Sequence, residues 1–155
     1  MALDTVGFYC TGHSLDPNTI LQPGNWGRTI QQWGNAHRLF NQEMALEAER
    51  ANNFPDRQSR LTANFIWPRL NDAKWYRAHH HPADSIYEIR FDQQLPLHQG
   101  VFLCLPPLRG FSDAQAIRHY WAFDHGVYWD QDPGYMPIEI VTASPLLVLG
   151  NVTLP

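Results

Sequence analysis

The chain has few cysteines and no long apolar run, and each shortage excludes a class of protein. Only two cysteines, Cys10 and Cys104, occur among 155 residues, which excludes a disulfide-stapled scaffold. Both lie in apolar, strand-like stretches, where we expect buried free thiols. No apolar run approaches the roughly 20 residues of a membrane-spanning helix, so we expect no membrane partner.

Lysine is nearly absent as well, because Lys74 is the single lysine among eleven cationic side chains. Arginine suits two-pronged contacts with phosphate or carboxylate groups. The formal net charge is nevertheless -4, whereas a protein that bound nucleic acid by neutralising phosphates would be basic. With 44% hydrophobic and 17% charged residues, a disordered chain is also excluded.

The length and the N-terminal residues set two further expectations. Residues 1–155 are expected to form a single domain, because this length is typical of one. Residues 1–7 lack a basic region followed by an apolar core, so no signal peptide is expected. We therefore expect a protein that is soluble and cytoplasmic where it is made, with delivery into another cell left open.

The patterns along the chain predict short strands mixed with helices. Residues 101–105 are predicted to form either a short strand or a buried connector. Residues 13–35 carry turn chemistry without a sustained period and are predicted to form a loop, as are residues 124–137. Strands are predicted at residues 6–11, 59–67, 85–91, 136–144 and 146–149.

Helices are predicted in the middle of the chain. The clearest covers residues 36–51, and a short one runs from Asn71 or Asp72 to about Ala78. A capping box formed by Ser112 and Gln115 begins another. Strands at both ends and helices between them predict an α+β fold with largely antiparallel sheets and two or three flanking helices.

Three common kinds of site find little support in the sequence. Consecutive histidines such as His79 to His81 cannot all face one ion, and no cysteine or histidine pair lies nearby at zinc spacing. We therefore expect no metal, and a metal-dependent hydrolase is the least favoured alternative. No nucleophile elbow or Cys-His signature is present. Residues 23–27 have glycines but not the strand-to-helix placement of a phosphate-binding loop.

One carboxylate stands out by its position. Glu139 lies near the start of the predicted strand 136–144, between Ile138 and Ile140. The simpler interpretation is a solvent-facing glutamate on a half-buried strand. The alternative is a functional carboxylate at a strand end, and the order of the surrounding motifs favours it.

Four motifs occur in sequence: Phe8-Tyr9-Cys10-Thr11, then Ser59-Arg60-Leu61 leading to Asp72-Ala-Lys-Trp-Tyr76, then Ile86-Tyr-Glu-Ile-Arg-Phe91, and last Glu139-Ile-Val-Thr142. Their order resembles that of small bacterial ADP-ribosyltransferase-like domains. A poorly characterised branch of that superfamily is the most similar, on Pro23-Gly-Asn-Trp-Gly27, the acidic helix 44–50 and Ala116-Ile-Arg-His-Tyr-Trp121. The resemblance spans nearly the whole chain.

The resemblance implies a split pair of antiparallel sheets and transfer of ADP-ribose from NAD, the substrate, to a macromolecular acceptor, protein or nucleic acid, without a metal. Glu139 would be the catalytic carboxylate. A toxin, an effector or a phage-defence factor is compatible with it, and an inhibitor or immunity protein would then be a further partner. The NAD pocket would be formed by Tyr9, Cys10, Thr11, Arg28, Ser59, Arg60 and Tyr76.

The chain departs from the superfamily pattern at two positions. Cys10 stands where a histidine or arginine usually helps to hold the NAD ribose, and a thiol is a poor hydrogen-bond partner. Either another residue such as His13 takes over, or the chain is a catalytically degenerate module that binds a nucleotide or a protein. Pro137 replaces the first member of the Glu-x-Glu or Gln-x-Glu motif of arginine-modifying relatives, which disfavours arginine as the acceptor.

Purely structural interpretations stay open for several of these residues. Arg60 could instead form an exposed ion pair with Glu43 or Glu47 of the preceding helix. Arg28 could be a solvated loop residue. The aromatic residues of two predicted helices could belong to the core rather than to a stacking surface, namely Trp75, Tyr76, Tyr120 and Trp121.

Overall fold

A computed structural model of the chain describes residues 1–123 and 135–153, which form seven strands, four α-helices and three short 3₁₀ turns. The strands are β1 (Thr5–Thr11), β2 (Ile20–Leu21), β3 (Asn64–Ile66), β4 (Ser85–Phe91), β5 (Leu97–Val101), β6 (Ile138–Thr142) and β7 (Leu146–Asn151). The helices are α1 (Asn25–Trp33), α2 (Phe40–Asn53), α3 (Leu70–His80) and α4 (Asp113–Ala122). The 3₁₀ turns are Gly34–Ala36, Arg60–Thr62 and Phe102–Cys104.

The strands form two antiparallel sheets. The four-stranded sheet has the order β1-β4-β7-β2, and the three-stranded sheet has the order β3-β6-β5. The sheets meet where Phe8 and Trp67 exchange two backbone hydrogen bonds of 2.8 Å. The predicted α+β class and antiparallel pairing are therefore confirmed.

The prediction of two or three helices is wrong, because the described residues contain four. The additional helix, α1, lies inside the segment predicted as a loop. Gly24 and Gly27 look like turn residues in the sequence, but only Gly24 adopts a positive φ, of 101°, just before the helix begins. Gly27 lies within the helix, where the absence of a side chain permits close contact with another segment.

Two predicted strands also differ from the structure. Only residues 64–66 of the predicted strand 59–67 are extended, because the Ser59 hydroxyl accepts a hydrogen bond from the Leu61 amide and begins a 3₁₀ turn. Between residues 101 and 105, the strand ends at Val101 and a 3₁₀ turn follows, so the connector interpretation is the correct one. The predicted loop at 124–137 lies, as far as residue 134, outside the described residues.

Strand β2 lies in the segment predicted as a loop, and residues 97–100 of β5 were not predicted as a strand, but several other elements agree with their patterns. β1 and β4 lie where the sequence predicts strands, and α4 begins with the predicted capping box between Ser112 and Gln115. The predicted helix at 36–51 corresponds to α2, shifted toward the C-terminus because residues 34–36 form a 3₁₀ turn. None of the described helices has the length and apolar character needed to cross a membrane.

The core has three parts, and their arrangement leaves a cleft beside β1 and β6. One part fills the space between the two sheets around Ile89 and Ile140. A second joins α2 and α4 through Leu46 and Trp121, whose indole N–H donates to the Leu46 carbonyl oxygen at 2.9 Å. The third seats α3 on β1 and β4 through Ala73. These contacts fix the helices that form the walls of the cleft.

Candidate functional site

A cleft of about 690 Å³ opens between α2, α3 and the adjoining edges of the two sheets. Its size lies within the range of about 300–1,000 Å³ that is typical of small-molecule sites. The structure brings five of the predicted site residues to this cleft: Tyr9, Cys10, Arg60, Tyr76 and Glu139. They come from four separate stretches of the chain.

Glu139 lies at the base of this cleft, near the start of β6. Successive side chains on a strand point to opposite faces, and Ile140 packs into the core between the sheets. Glu139 therefore points to the other face, where it lines the cleft with 4% of its surface exposed. The interpretation of Glu139 as a solvent-facing residue is wrong.

The Glu139 carboxylate is held by a buried arginine. Arg60 Nη1 donates to Glu139 Oε1 at 2.6 Å and to the Tyr120 hydroxyl at 2.8 Å. On its other edge, Arg60 Nε and Nη2 donate to the carboxylate of Glu43, over distances of 3.0–3.2 Å. We call these four residues, Glu43, Arg60, Tyr120 and Glu139, the Arg60 cluster.

Arg60 thus pairs with Glu43, as one of the open alternatives stated, but the pair is buried rather than exposed. Glu47, the other candidate partner, instead pairs with Arg50 at 2.7 Å. Each of the three guanidinium nitrogens of Arg60 donates to a protein acceptor. A diphosphate bound by Arg60, as predicted, would have to share these donors.

The protonation states of Arg60 and Tyr120 follow from their burial and from the groups that face them. Burial disfavours the charged guanidinium, but the facing Tyr120, Glu43 and Glu139 groups outweigh this and raise the pKa of Arg60. Burial likewise raises the pKa of Tyr120 well above its ordinary value, against the opposing effect of Arg60. Tyr120 therefore stays a neutral phenol and donates to Glu139 Oε1 at 2.5 Å.

Only one oxygen of Glu139 is occupied by these contacts. Both Arg60 and Tyr120 donate to Oε1. Among residues 1–123 and 135–153, no group donates a hydrogen bond to Oε2. Within the described residues, the carboxylate is therefore held through one oxygen.

Gly100 makes the approach of Tyr120 possible. It lies opposite Glu139 in the β5–β6 pairing, and a Cβ at position 100 would lie 2.4 Å from the Tyr120 ring. The ring thus occupies the space of the missing side chain. Tyr120 is completely buried, which agrees with the core interpretation, and its hydroxyl still reaches the site.

Aromatic rings form one wall of the cleft. Tyr76 packs against Trp67 with ring centroids 5.0 Å apart, and stacks on His80 at 5.6 Å. Burial raises the pKa of Tyr76, with Glu139 contributing, so its hydroxyl is neutral and available as a donor. These rings offer flat surfaces on which an aromatic ligand could stack.

The three consecutive histidines are exposed, as expected, although His79 and His80 end helix α3 rather than forming a turn. His80 and His81 contribute to the rim of the cleft. Within the described part of the chain, no three histidine, cysteine, aspartate or glutamate side chains are grouped as a metal ion would require.

Cys10 lines the cleft but has the properties of an unreactive thiol. Its Sγ donates to the carbonyl oxygen of Ala73 at 3.7 Å. Burial raises its pKa to about 12, with Asp84 adding to the shift and Arg77 opposing it. A neutral thiol with this partner supplies neither a positive charge nor a strong donor, at the position where the predicted resemblance would call for a histidine or arginine.

Three predicted site residues lie apart from Glu139. Thr11 and Arg28 line a neighbouring pocket of about 310 Å³, which shares only Tyr9 with the cleft and also contains His13. Ser59 lines neither cavity, because its hydroxyl donates to Glu47 at 2.7 Å and caps the following turn. The structure therefore divides the predicted NAD-pocket residues among the cleft, a side pocket and the cap of a 3₁₀ turn.

Sequence reasoning gave no functional role to Glu43, Tyr120 or Gly100. A signal for Glu43 was present, since it lies three residues before the buried Leu46 and thus on the inward face of α2. A carboxylate on such a face needs a cationic partner, as Arg60 provides. No comparable local signal marks Gly100, because its importance depends on where Tyr120 lies.

Comparison with known proteins adds no assignment. Neither a scan against protein-family models nor a search of the curated proteins finds a match to this chain. The relationship to ADP-ribosyltransferases remains a prediction from the motifs.

Proposed function

We propose that this protein binds NAD in the cleft and transfers ADP-ribose to a macromolecular acceptor, with Glu139 as the catalytic carboxylate. One observation carries the proposal: Glu139 lies buried at the base of the cleft, with Oε1 held by Arg60 and Tyr120 and with no hydrogen bond to Oε2 from residues 1–123 and 135–153. A fixed carboxylate at the base of a cleft suits a reaction that develops positive charge there.

The chemistry explains why such a carboxylate is needed. When the bond between nicotinamide and ribose breaks, its electron pair leaves with nicotinamide and neutralises the pyridinium. The ribose carbon becomes cationic until an acceptor nucleophile bonds to it and loses a proton. Glu139 Oε2 would stabilise that cation and orient a ribose hydroxyl. The Arg60 cluster has a formal charge of -1, from two carboxylates and one guanidinium, and so also favours a cationic centre.

The walls of the cleft fit the rest of the substrate. Tyr76 and Trp67 provide aromatic faces for the nicotinamide ring. Arg38 and His37, on the α2 side of the cleft, are cationic or donor groups placed to contact phosphates. With NAD bound in this way, the cationic ribose and the anionic diphosphate would lie in different parts of the cleft.

The test uses NAD labelled in the ADP-ribose half, incubated with cell lysate, with nicotinamide release measured in parallel. Wild-type protein should transfer label or release nicotinamide. Glu139→Gln, which keeps the shape but removes the charge, should lower the rate about 100- to 1,000-fold. Glu88→Gln, a carboxylate of β4 outside the cleft, should react like wild type.

Two outcomes would contradict the proposal. One is a wild-type protein that neither transfers ADP-ribose nor hydrolyses NAD under any acceptor condition. The other is a Glu139→Gln variant that reacts as fast as wild type.

A second function is favoured by Cys10 alone. Because its thiol is neutral and donates to Ala73, the first strand lacks the side chain that usually holds the NAD ribose in the superfamily. A catalytically degenerate module that binds a nucleotide or a protein is the alternative. Calorimetry separates the two: NAD binding without turnover supports the degenerate nucleotide-binding module, and turnover excludes it. Absence of NAD binding leaves protein binding.

A further inference from the structure

We propose that Glu43 is a positioning residue that orients Glu139 by acting through Arg60. The proposal deepens the proposed ADP-ribosyl transfer and rests on it for the reaction that the site performs. Glu43 lies on α2, is 1% exposed, and contacts the Nε–Nη2 edge of Arg60 through both carboxylate oxygens.

The planar guanidinium transmits this contact to the opposite edge. Its N–H donors lie in one plane in a rigid fork. With the Nε–Nη2 edge fixed by Glu43, the two N–H groups of Nη1 point in set directions, one toward the Tyr120 hydroxyl and one toward Glu139 Oε1. Without Glu43, the guanidinium can rotate. The Nη1 N–H group that donates to Glu139 Oε1 then no longer has a fixed direction.

Glu43 also sets the charge at the base of the cleft. A pair formed by Arg60 and Glu139 alone would be formally neutral. The second carboxylate gives the Arg60 cluster a formal charge of -1 in a buried environment, where charges interact strongly. The substrate class that this arrangement favours is one whose reacting centre gains positive charge.

The other carboxylates of α2 provide a contrast on the same helix. Glu47 pairs with Arg50 and Ser59, and Glu49 lies 3.5 Å from Arg118. Glu43 lines the cleft, whereas Glu47 and Glu49 do not. Glu49→Gln is therefore a matched control that removes a carboxylate from the same helix away from the site.

The first measurement is nuclear magnetic resonance of protein labelled with ¹⁵N-arginine, which reports on Arg60 without any turnover. In wild type and in Glu49→Gln, the two Nη groups of Arg60 should give separate signals, because the two-pronged contact with Glu43 stops rotation about the Nε–Cζ bond. In Glu43→Gln, these signals should merge.

The second measurement is steady-state kinetics with NAD. Glu43→Gln should lower kcat about 10- to 100-fold, because the reacting oxygen is misplaced rather than removed. The KM for NAD should stay nearly constant, since the affected contact acts mainly in the transition state. Glu43→Asp keeps the charge and should recover part of kcat.

Separate Arg60 signals in Glu43→Gln would overturn the proposal, and so would a Glu43→Gln enzyme with the kcat of wild type. If wild-type protein does not consume NAD, the proposed function fails on its own, and the arginine signals still decide whether Glu43 orients Arg60. If Glu43→Gln does not fold, the same comparison is made with Glu43→Asp, whose shorter side chain should broaden the signals. Unchanged signals would overturn the proposal in that variant too.

Discussion

Tyr120 reaches Glu139 because the strand beneath it has no side chain at position 100. The ring lies where a Cβ of Gly100 would be, and its hydroxyl then has both Arg60 and Glu139 as partners. The absence of a side chain at Gly100 thereby allows α4 to lie close to β5 at Tyr120. We expect the proposed role of Glu139 to depend on this position, although Gly100 has no side chain that could contact the Glu139 carboxylate.

Gly100→Ala should reduce both stability and activity. The added Cβ would lie 2.4 Å from the fully buried Tyr120 ring, so that the ring or the strand would have to move. Overpacking of this kind costs about 1–3 kcal/mol, measurable by urea denaturation. Displacement of the Tyr120 hydroxyl should also slow the proposed NAD turnover.

Gly150→Ala is the matched control for that substitution. Gly150 also lies in a strand, but nothing is within 4 Å of a Cβ at that position. Its unfolding free energy should change by less than about 0.5 kcal/mol. Equal effects of the two alanine substitutions would refute the packing role assigned to Gly100.

At the scale of elements, α1 fixes the segment that carries Arg60. The Gly24 amide donates to the Ala63 carbonyl oxygen at 3.0 Å, and Gly27 packs directly against the backbone of Leu61. Arg60 enters the cleft from the 3₁₀ turn between Ser59 and Ala63. The Pro-Gly-x-Trp-Gly motif therefore holds α1 against the turn that carries Arg60, and it is not a loop that covers the cleft.

Gly27→Ala tests this docking. Alanine favours a helix by about 1 kcal/mol over glycine, so an isolated helix would be stabilised. Here a Cβ would lie 1.8 Å from the Leu61 carbonyl oxygen, and a backbone atom cannot turn aside as a side chain can. The clash should outweigh propensity, and we expect a net destabilisation of at least about 2 kcal/mol in urea denaturation.

Gln32→Ala, on an exposed position of the same helix, is the control for the propensity effect. It should leave stability unchanged or slightly higher. A Gly27→Ala variant as stable as wild type would mean that α1 and the Arg60–Thr62 turn do not pack closely.

The elements that could be predicted from the sequence are those whose signals are local. The alternation in Ser85–Phe91 and the capping box at Ser112 lie within a few residues and identified β4 and α4. Helix α1 was missed because Gly27 within it serves a contact with Leu61, more than 30 residues away in the chain. Where a glycine is needed for such a long-range contact, helix propensity alone gives the wrong prediction of secondary structure.

At the scale of the whole molecule, the site depends on contacts between distant parts of the chain. Arg60 and Glu139 are 79 residues apart, and Arg60 and Tyr120 are 60 apart. The motif order pointed to Glu139 and Arg60 separately, but their ion pair required the sheet pairing of β3 with β6. Spacing along the chain gives no information about such a pair.

The buried His98 makes the stability of the whole fold depend on pH. It is 1% exposed, its Nε2 contacts the Tyr120 carbonyl oxygen at 3.2 Å, and burial lowers its pKa to about 3, with Arg57 contributing. An unfolded histidine has a pKa near 6.5. Below that pH the unfolded chain binds a proton that the folded protein does not, so stability falls as pH falls from about 6.5 toward 3.

Between pH 7 and pH 5, we expect proton binding by His98 in the unfolded chain to lower the free energy of unfolding by about 2 kcal/mol. Because phenylalanine does not titrate, His98→Phe should lose correspondingly less stability between pH 7 and pH 5. Most carboxylates titrate below this interval. Urea denaturation at both pH values measures the difference. His79→Asn, at an exposed position, should retain the full wild-type dependence, and an equal dependence in His98→Phe would show that His98 is not responsible.

The Arg60 cluster has a consequence for how this protein can evolve. Loss of Arg60 alone leaves two buried carboxylates without a counter-charge, and breaking a buried ion pair in this way costs about 3–5 kcal/mol. Such a mutant would be eliminated for instability before any change in chemistry was selected. Functional change is therefore expected first at cleft residues that carry no partner charge. If the proposed catalysis were lost in a lineage, the Arg60 cluster would be kept for stability while residues of the first strand, such as Cys10, changed.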